Sequence, residues 1–303
     1  MIPTSPVKLS IPAMGTRFEL VLYGDNPLRL RSAAEEAITE IERLDQQLSF
    51  YRPDSDLSWI NTHGAKGPVK VEPRMFRLLE QALEISHRTA YSFDITIAPL
   101  MRAWGFVGGK GRIPDSSDIE AARSATGIDH IHLDPKQFTI TFDHPGVELD
   151  LGAIGKGYAI ERAVEILREN GIQSALLHGG TSSISAIGTQ PDGRKWKIAV
   201  NHPIIKNKPF DIFEIENSSL SVSAAHGKAF TDGTVEYCHV IDPRSGQPTR
   251  EALIAAVAGP SSTICDALAT ALLVLGTPGL ELLAAEFPDY SAKVLDNELK
   301  VFE

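Results

Sequence analysis

Asp266 and Thr270 stand four residues apart in a run, residues 265–275, whose other members are almost all apolar. On a helix, positions i and i+4 share a face. The surrounding Ala267, Leu268, Ala269, Ala271, Leu272, Leu273 and Val274 make bulk solvent a poor destination for that face. Carboxylate and hydroxyl oxygens are hard ligands, suited to magnesium held jointly with substrate phosphates. The same pair also reads as an acid favoured by a helix N-terminus, beside a threonine bonded back to its own backbone. A second group of reactive types is Lys156 within the glycine-punctuated stretch Asp150-Leu151-Gly152-Ala153-Ile154-Gly155-Lys156-Gly157-Tyr158. Glycines let backbone approach a ligand, a helix start offers free N–H groups to an anion, and a lysine adds a mobile point charge suited to phosphate. The spacing is neither that of a Walker loop nor that of a dinucleotide fingerprint. A strand-to-helix turn with a solvated lysine fits the same residues.

Two further places carry polar groups that packing alone does not demand. His239 precedes Asp242-Pro243-Arg244-Ser245-Gly246, where histidine offers a base near neutral pH and arginine a bidentate grip on phosphate. A structural histidine and ordinary turn chemistry account for them equally well. Asp94, in Phe93-Asp94-Ile95-Thr96, either ligates, orients, or caps a turn.

The elements that must position these groups follow from periodicity. Residues 18–23 read as a strand after a turn at Met14-Gly15-Thr16, and 28–48 as an amphipathic helix. Loops are expected at 49–56 and 61–68, a second amphipathic helix at 74–89, and a glycine- and proline-rich loop at 107–117. A short helix near 118–126 precedes a hairpin of 130–133 with 137–142. An alternating apolar run then leads through the lysine turn into a helix over 159–170, stopped by Gly171. Strands follow at 174–177, 184–188, 196–200, 210–215 and 220–223, a strand ending in a turn over 237–246, and another strand at 252–258. Helices at 265–275 and 280–286 come last. The elements keep no strict βαβ rhythm, so a mixed α+β fold is expected.

The chain has 303 residues, 43% of them apolar, enough to bury a large core as one elaborated domain or as two joined halves, about 1–145 and 146–303. A net charge of -10 argues against general nucleic-acid binding. Cys238 and Cys265 are too few and too far apart for a disulfide framework or a cysteine-rich zinc site. No apolar run reaches the ~20 residues of a membrane span, and the first residues lack the pattern of a signal peptide. As written, the sequence reads as soluble and cytoplasmic, or as extracytoplasmic if a leader has been removed.

Taken in order, these pieces form a more specific signature. It comprises Met14-Gly15-Thr16, Ser49-Phe50-Tyr51, Phe93-Asp94-Ile95-Thr96 with Pro99-Leu100, and Trp104-Gly105-Phe106. It continues with the lysine turn, His178-Gly179-Gly180 in part, residues 239–246 and residues 266–272. From about Ala13 to near Gly276 the chain resembles the FAD:protein FMN transferases, once described as thiamine-biosynthesis lipoproteins. The resemblance implies a T-fold-like domain that binds FAD and, with magnesium, esterifies FMN to a threonine hydroxyl of an acceptor flavoprotein, releasing AMP. It implies Asp266, Thr270 and the carbonyl of Ala153 as magnesium ligands, Lys156 beside the flavin and phosphates, and His239 as base. Met14, Tyr51, Asp94 and Trp104 would line the flavin and adenine pockets, with Gly179, Gly180 and Arg244 also on the dinucleotide. Acceptors in the family are subunits of membrane redox pumps or extracytoplasmic reductases, and relatives are often lipoproteins, although this chain shows no lipobox.

Three departures bear on that implication. Thr181 stands where the family usually has an aspartate after its glycine pair, and Leu177 where an asparagine is usual. Ser223-Ala224-Ala225-His226 replaces a Ser-Gly-Asp-Tyr stretch, and His226 and Lys228 are added polar groups. A non-catalytic FAD-binding protein, or an FAD pyrophosphatase giving free FMN and AMP, is therefore the alternative to a transferase. Either enzymatic reading requires the side chains of Lys156 and Asp266, more than a hundred positions apart, to meet over one cleft.

Overall fold

The computed structural model describes residues 5–205, 207–225 and 229–303. β1 (Val7–Ala13) and β2 (Thr16–Tyr23) form a hairpin. It turns at Met14 and Gly15, both left-handed at φ 49° and 70°. α1 (Pro27–Leu48) follows, capped by the Asn26 side chain, which accepts the Arg29 N–H. Then come α2 (Asp56–His63), β3 (Val69–Lys70), α3 (Pro73–Arg88), α4 (Ala98–Ala103) and α5 (Ser116–Ser124). β4 (Ile131–Asp134) pairs with β5 (Thr139–Phe142), the expected hairpin, and β3 adds to the far side of β5.

The second half begins with α6 (Gly155–Glu169), β6 (Ser174–Gly179) and β7 (Ser183–Ile187). Next are β8 (Trp196–Asn201), β9 (Pro209–Ile215), β10 (Ser219–Ala224), β11 (Ala229–Asp232) and β12 (Val235–Cys238). β13 (Ile241–Asp242), β14 (Gln247–Pro248), β15 (Ile254–Gly259), α7 (Ser262–Leu275), α8 (Gly279–Glu286), β16 (Ser291–Leu295) and β17 (Val301–Phe302) complete the chain.

Eight strands make one sheet in the order β1-β2-β6-β7-β10-β15-β16-β17, antiparallel at every pairing. The fold is thus α+β, with the first and last strands of the chain at opposite edges of the sheet. On one face, Phe18, Leu20 and Leu22 of β2, Ala175 and Leu177 of β6, and Ala255 and Val257 of β15 join the core formed with α1, α6 and α7. The alternate residues point the other way. There Ile184, Ala186, Leu220 and Ala256 pack with Trp196, Val200 and Ile215 of the β8–β9 hairpin. This period-two division assigns each strand residue to one layer or the other.

Several elements differ from the sequence expectation. β1 was not anticipated; it is an edge strand with half its side chains exposed and Pro12 inside it, where no inner-strand donor is needed. Residues 61–63 belong to α2 rather than to a loop, and α4 occupies part of a stretch read only as a connection. The apolar run before the lysine turn is extended but joins no sheet. Asn61 takes the place of a neighbouring strand there, its amide donating to Leu149 O at 2.9 Å and its carbonyl accepting Leu149 N–H at 2.8 Å. α6 starts at Gly155, four residues earlier than periodicity suggested.

That early start depends on how closely α6 approaches α7. A Cβ on Gly157 would fall 2.2 Å from the Ser262 carbonyl oxygen and 2.7 Å from the Asp266 Cβ, whereas one on Gly155 would meet nothing within 4 Å. Gly157→Ala is expected to lower the unfolding free energy by about 1–3 kcal/mol through forced separation of the two helices. Gly155→Ala should stay within about 1 kcal/mol of the parent. Urea denaturation of the two variants tests this; equal midpoints would refute the close approach.

Candidate active site

The two helices meet at their N-terminal turns, where backbone N–H groups lack intrahelical partners. Ile154, at the N-cap of α6, provides no capping side chain. Asp266 of α7 does so from across the interface, Oδ2 accepting the Gly157 N–H at 3.0 Å. Glu161 of α6 returns the favour to α7, its Oε2 accepting the Thr263 N–H at 3.0 Å and the Ser261 hydroxyl at 2.5 Å. The Ser262 hydroxyl donates to Gly157 O at 2.8 Å and completes the lock. Asp266 is only 3% exposed, and its other oxygen accepts the Ser183 hydroxyl of β7 at 3.0 Å. Lys156 Nζ lies 3.7 Å from Asp266 Oδ2 and donates to Gly152 O at 3.1 Å. The ammonium and the carboxylate therefore meet, as either enzymatic reading requires. A buried carboxylate is tolerable here because two donors and a cation compensate its lost hydration.

A cleft of about 1330 Å³ opens over this junction. It exceeds the usual range for a drug-sized ligand and suits a long molecule. Lys156, Asp266, Thr270 and Ala153 stand on its wall, as do Gly180 and His239. His239 is half-buried at the bend between β12 and β13. The Thr270 hydroxyl lies 3.2 Å from the Ser223 hydroxyl and 3.4 Å from the Asp266 carbonyl oxygen, so it touches both its own helix and β10. Met14, on the β1–β2 turn, Tyr51 and Asp94 also line the cleft. Tyr51 is 67% exposed, and burial of its hydroxyl together with the Asp150 charge raises its pKa. Asp94 is buried and closes a local turn, its Oδ1 accepting the Thr96 N–H at 2.7 Å and the Thr96 hydroxyl at 2.6 Å. Burial outweighs these bonds and raises its pKa above the ordinary carboxylate value.

Three expected site residues are not on the wall. Trp104 is 2% exposed, donates its indole N–H to Gly246 O at 2.8 Å, and packs behind Phe230 and Tyr237. Phe106 and Phe230 face the cleft in its place. Arg244 holds Asp242 with both ends of its guanidinium, at 2.8 and 2.9 Å, so its charge is already engaged. Gly179 ends β6, where a Cβ would press to 2.9 Å against the Phe18 ring; its smallness answers to packing.

Other residues entered unforeseen. Asp150 reaches the wall and holds the lysine turn, its Oδ1 accepting the Gly152 N–H at 2.7 Å. The Asp-x-Gly spacing carried that signal. Ser183 carries none, since its partner lies 83 positions away. Of the departures from the family pattern, Thr181 and Ala224 line the cleft, beside the matching Ser223, whereas Leu177 is buried in the helix-side core. His226, Gly227 and Lys228 lie outside the described residues.

Asp266 and Thr270 put a carboxylate and a hydroxyl, both hard oxygen donors, on the cleft wall that Ala153 also lines. Among the described residues no cluster of three His, Cys, Asp or Glu side chains forms a metal cage. That chemistry fits magnesium, which keeps few protein ligands and completes its shell with water and phosphate oxygens. Among the described residues, no helix is long and apolar enough to cross a membrane.

Comparison with known proteins identifies the family. Residues 14–293 match the ApbE family. The chain is 31% identical over 283 residues to the FAD:protein FMN transferase of Vibrio cholerae serotype O1, covering 90% of this chain and 83% of that protein. It superposes on the ApbE protein of Thermotoga maritima with a TM-score of 0.91 at 25% identity, over 99% of this chain and 97% of the other. With the apo flavinyl transferase ApbE of Pseudomonas stutzeri the TM-score is 0.86 at 30% identity, over 100% and 94%. The chain belongs to the ApbE family.

Proposed function

We propose that this chain transfers the FMN half of FAD to a threonine hydroxyl of an acceptor protein, in a magnesium-dependent reaction that releases AMP. The observation that carries the reading is the meeting of Lys156 and Asp266, 3.7 Å apart, on the wall of a cleft that His239 also lines. Its support from relatives is the name FAD:protein FMN transferase borne by the Vibrio cholerae protein.

Lys156 would bind a phosphate oxygen, helped by the positive dipole end at the start of α6. Asp266, Thr270 and the carbonyl of Ala153 would hold the magnesium ion, which supplies charge neutralisation at the phosphate oxygens. Phosphoryl transfer depends chiefly on such positioning and electrostatics. His239 would take the proton of the incoming hydroxyl as its oxygen bonds to the FMN phosphorus. The bond from that phosphorus to the bridging oxygen breaks, and AMP leaves. Asp94, Met14 and Tyr51 would line the pocket for the rings, since an aromatic and a thioether suit a planar ring.

Incubation with FAD, magnesium and an acceptor protein should add an FMN mass to one acceptor threonine, and EDTA should abolish the reaction. Free FMN with no bound adduct would identify water as the acceptor, and FAD binding without AMP release would identify a non-catalytic protein. His239→Ala is expected to lower the transfer rate by about 100-fold or more while leaving FAD affinity within a factor of about two. An unaltered rate would remove His239 from the mechanism. Asp266→Ala should eliminate magnesium-dependent transfer. It should also cost about 1–3 kcal/mol of stability, because the Gly157 N–H and Ser183 hydroxyl lose their acceptor. Retained activity in a variant whose urea midpoint has dropped would leave Asp266 a purely structural role.

A further inference from the structure

β8 presents an unpaired edge to the cleft. It pairs with β9 in a two-stranded sheet of their own, and among the described residues no other strand joins it. Residues 197–203 line the cleft without interruption. Side chains of a strand alternate between faces, so a continuous run borders a cavity only if the strand lies edge-on to it. Burial alternates accordingly, with Trp196 and Val200 buried and Lys197, Ala199 and Asn201 exposed. Among the described residues none of β9 lines the cleft, so the edge that faces it is the one away from β9. Such an edge offers alternate N–H and C=O groups as a template for another strand.

The chain leaving this edge is held in a defined outward turn. His202 Nδ1 accepts the N–H groups of Ile204 and Ile205 at 3.2 and 3.0 Å, and the His202 N–H donates to Lys208 O at 2.9 Å. The two isoleucines, 57% and 39% exposed, follow directly after the last cleft residue, Pro203. A dinucleotide confined to the cleft has no use for apolar surface outside it. A polypeptide that enters the cleft from outside must cross that surface.

We propose that β8 is the docking edge for the acceptor protein. An extended acceptor segment adds as a strand to β8, brings its threonine into the cleft that His239 lines, and rests its flank on Ile204 and Ile205. This inference rests on the transferase reading above. In such strand addition, main-chain bonds supply affinity and alternate side chains supply specificity. The sequence flanking the threonine is therefore read at every second residue.

The test uses a peptide of about twenty residues centred on the modified threonine of the acceptor, identified as the protein that gains FMN mass in cells expressing this chain. Single backbone N-methyl groups are walked along the peptide. Strand addition predicts an alternating pattern: methylation at one parity raises KM about tenfold, through lost hydrogen bonds and steric blockage, and at the other parity changes it less than about twofold. A flat profile overturns the proposal. The doubly substituted Ile204→Asp, Ile205→Asp chain, altered only at exposed positions, should show a raised KM for the peptide with unchanged FAD affinity. An unchanged KM, or a parallel loss of FAD affinity, would overturn it as well, the latter by assigning the edge to the dinucleotide. Absence of FMN transfer from the unaltered chain to any protein is a separate outcome that refutes the transferase reading and the docking edge with it.

Discussion

Two helix beginnings, each capped by a carboxylate from the other, organise this molecule. Asp266 reaches from α7 to the first turn of α6, and Glu161 reaches from α6 to the first turn of α7. Two positive dipole ends brought together repel, and a carboxylate at each offsets that repulsion. The arrangement needs the helices in near backbone contact, which only a residue without a side chain at position 157 allows. Once it forms, the neighbouring Lys156 is fixed at the rim of the cleft, and Asp266 sits beneath it with each oxygen accepting one hydrogen bond. A carboxylate oxygen has capacity for more than one partner, so the same group serves the fold and remains a candidate ligand.

Much of this was legible in the sequence. The helix over residues 28–48, the 130–142 hairpin and most strands of the large sheet followed from local pattern, although central strands such as β7 are buried on both faces. The α+β class followed from their order. What escaped was set by contacts between distant segments. α6 begins at Gly155 because Asp266, 109 positions beyond Gly157, caps its first turn, and residues 149–150 stay out of a sheet because Asn61 and Ile95 satisfy their backbone. Neither cause leaves a local pattern. The ordered set of weak motifs was more informative about the site than any single one. It also named Trp104, Gly179 and Arg244, which lie off the cleft wall, the first bonded to Gly246, the second close against Phe18 and the third holding Asp242.

The departures from the family pattern fall into two physical kinds. Leu177 faces the helix layer, buried with Phe18 and Leu20, so its change of type concerns the core. Thr181, Ser223 and Ala224 stand on the cleft wall, and Ser223 touches Thr270. There the hydroxyl of Thr181 replaces the acid usual in the family, which makes that wall less negative, and the methyl of Ala224 replaces the hydrogen of a glycine.

The cleft draws its walls from the first hairpin, the starts of α6 and α7, β8 and the bend after β12, segments that span most of the chain. No fragment or partly folded form brings these together, so a ligand that fits the cleft distinguishes sharply between the native state and every other. By mass action such a ligand stabilises the native state by RT ln(1 + [L]/Kd), about 2.7 kcal/mol at one hundred times Kd. Occupancy is thereby written into the melting temperature, whether or not any bond is made or broken.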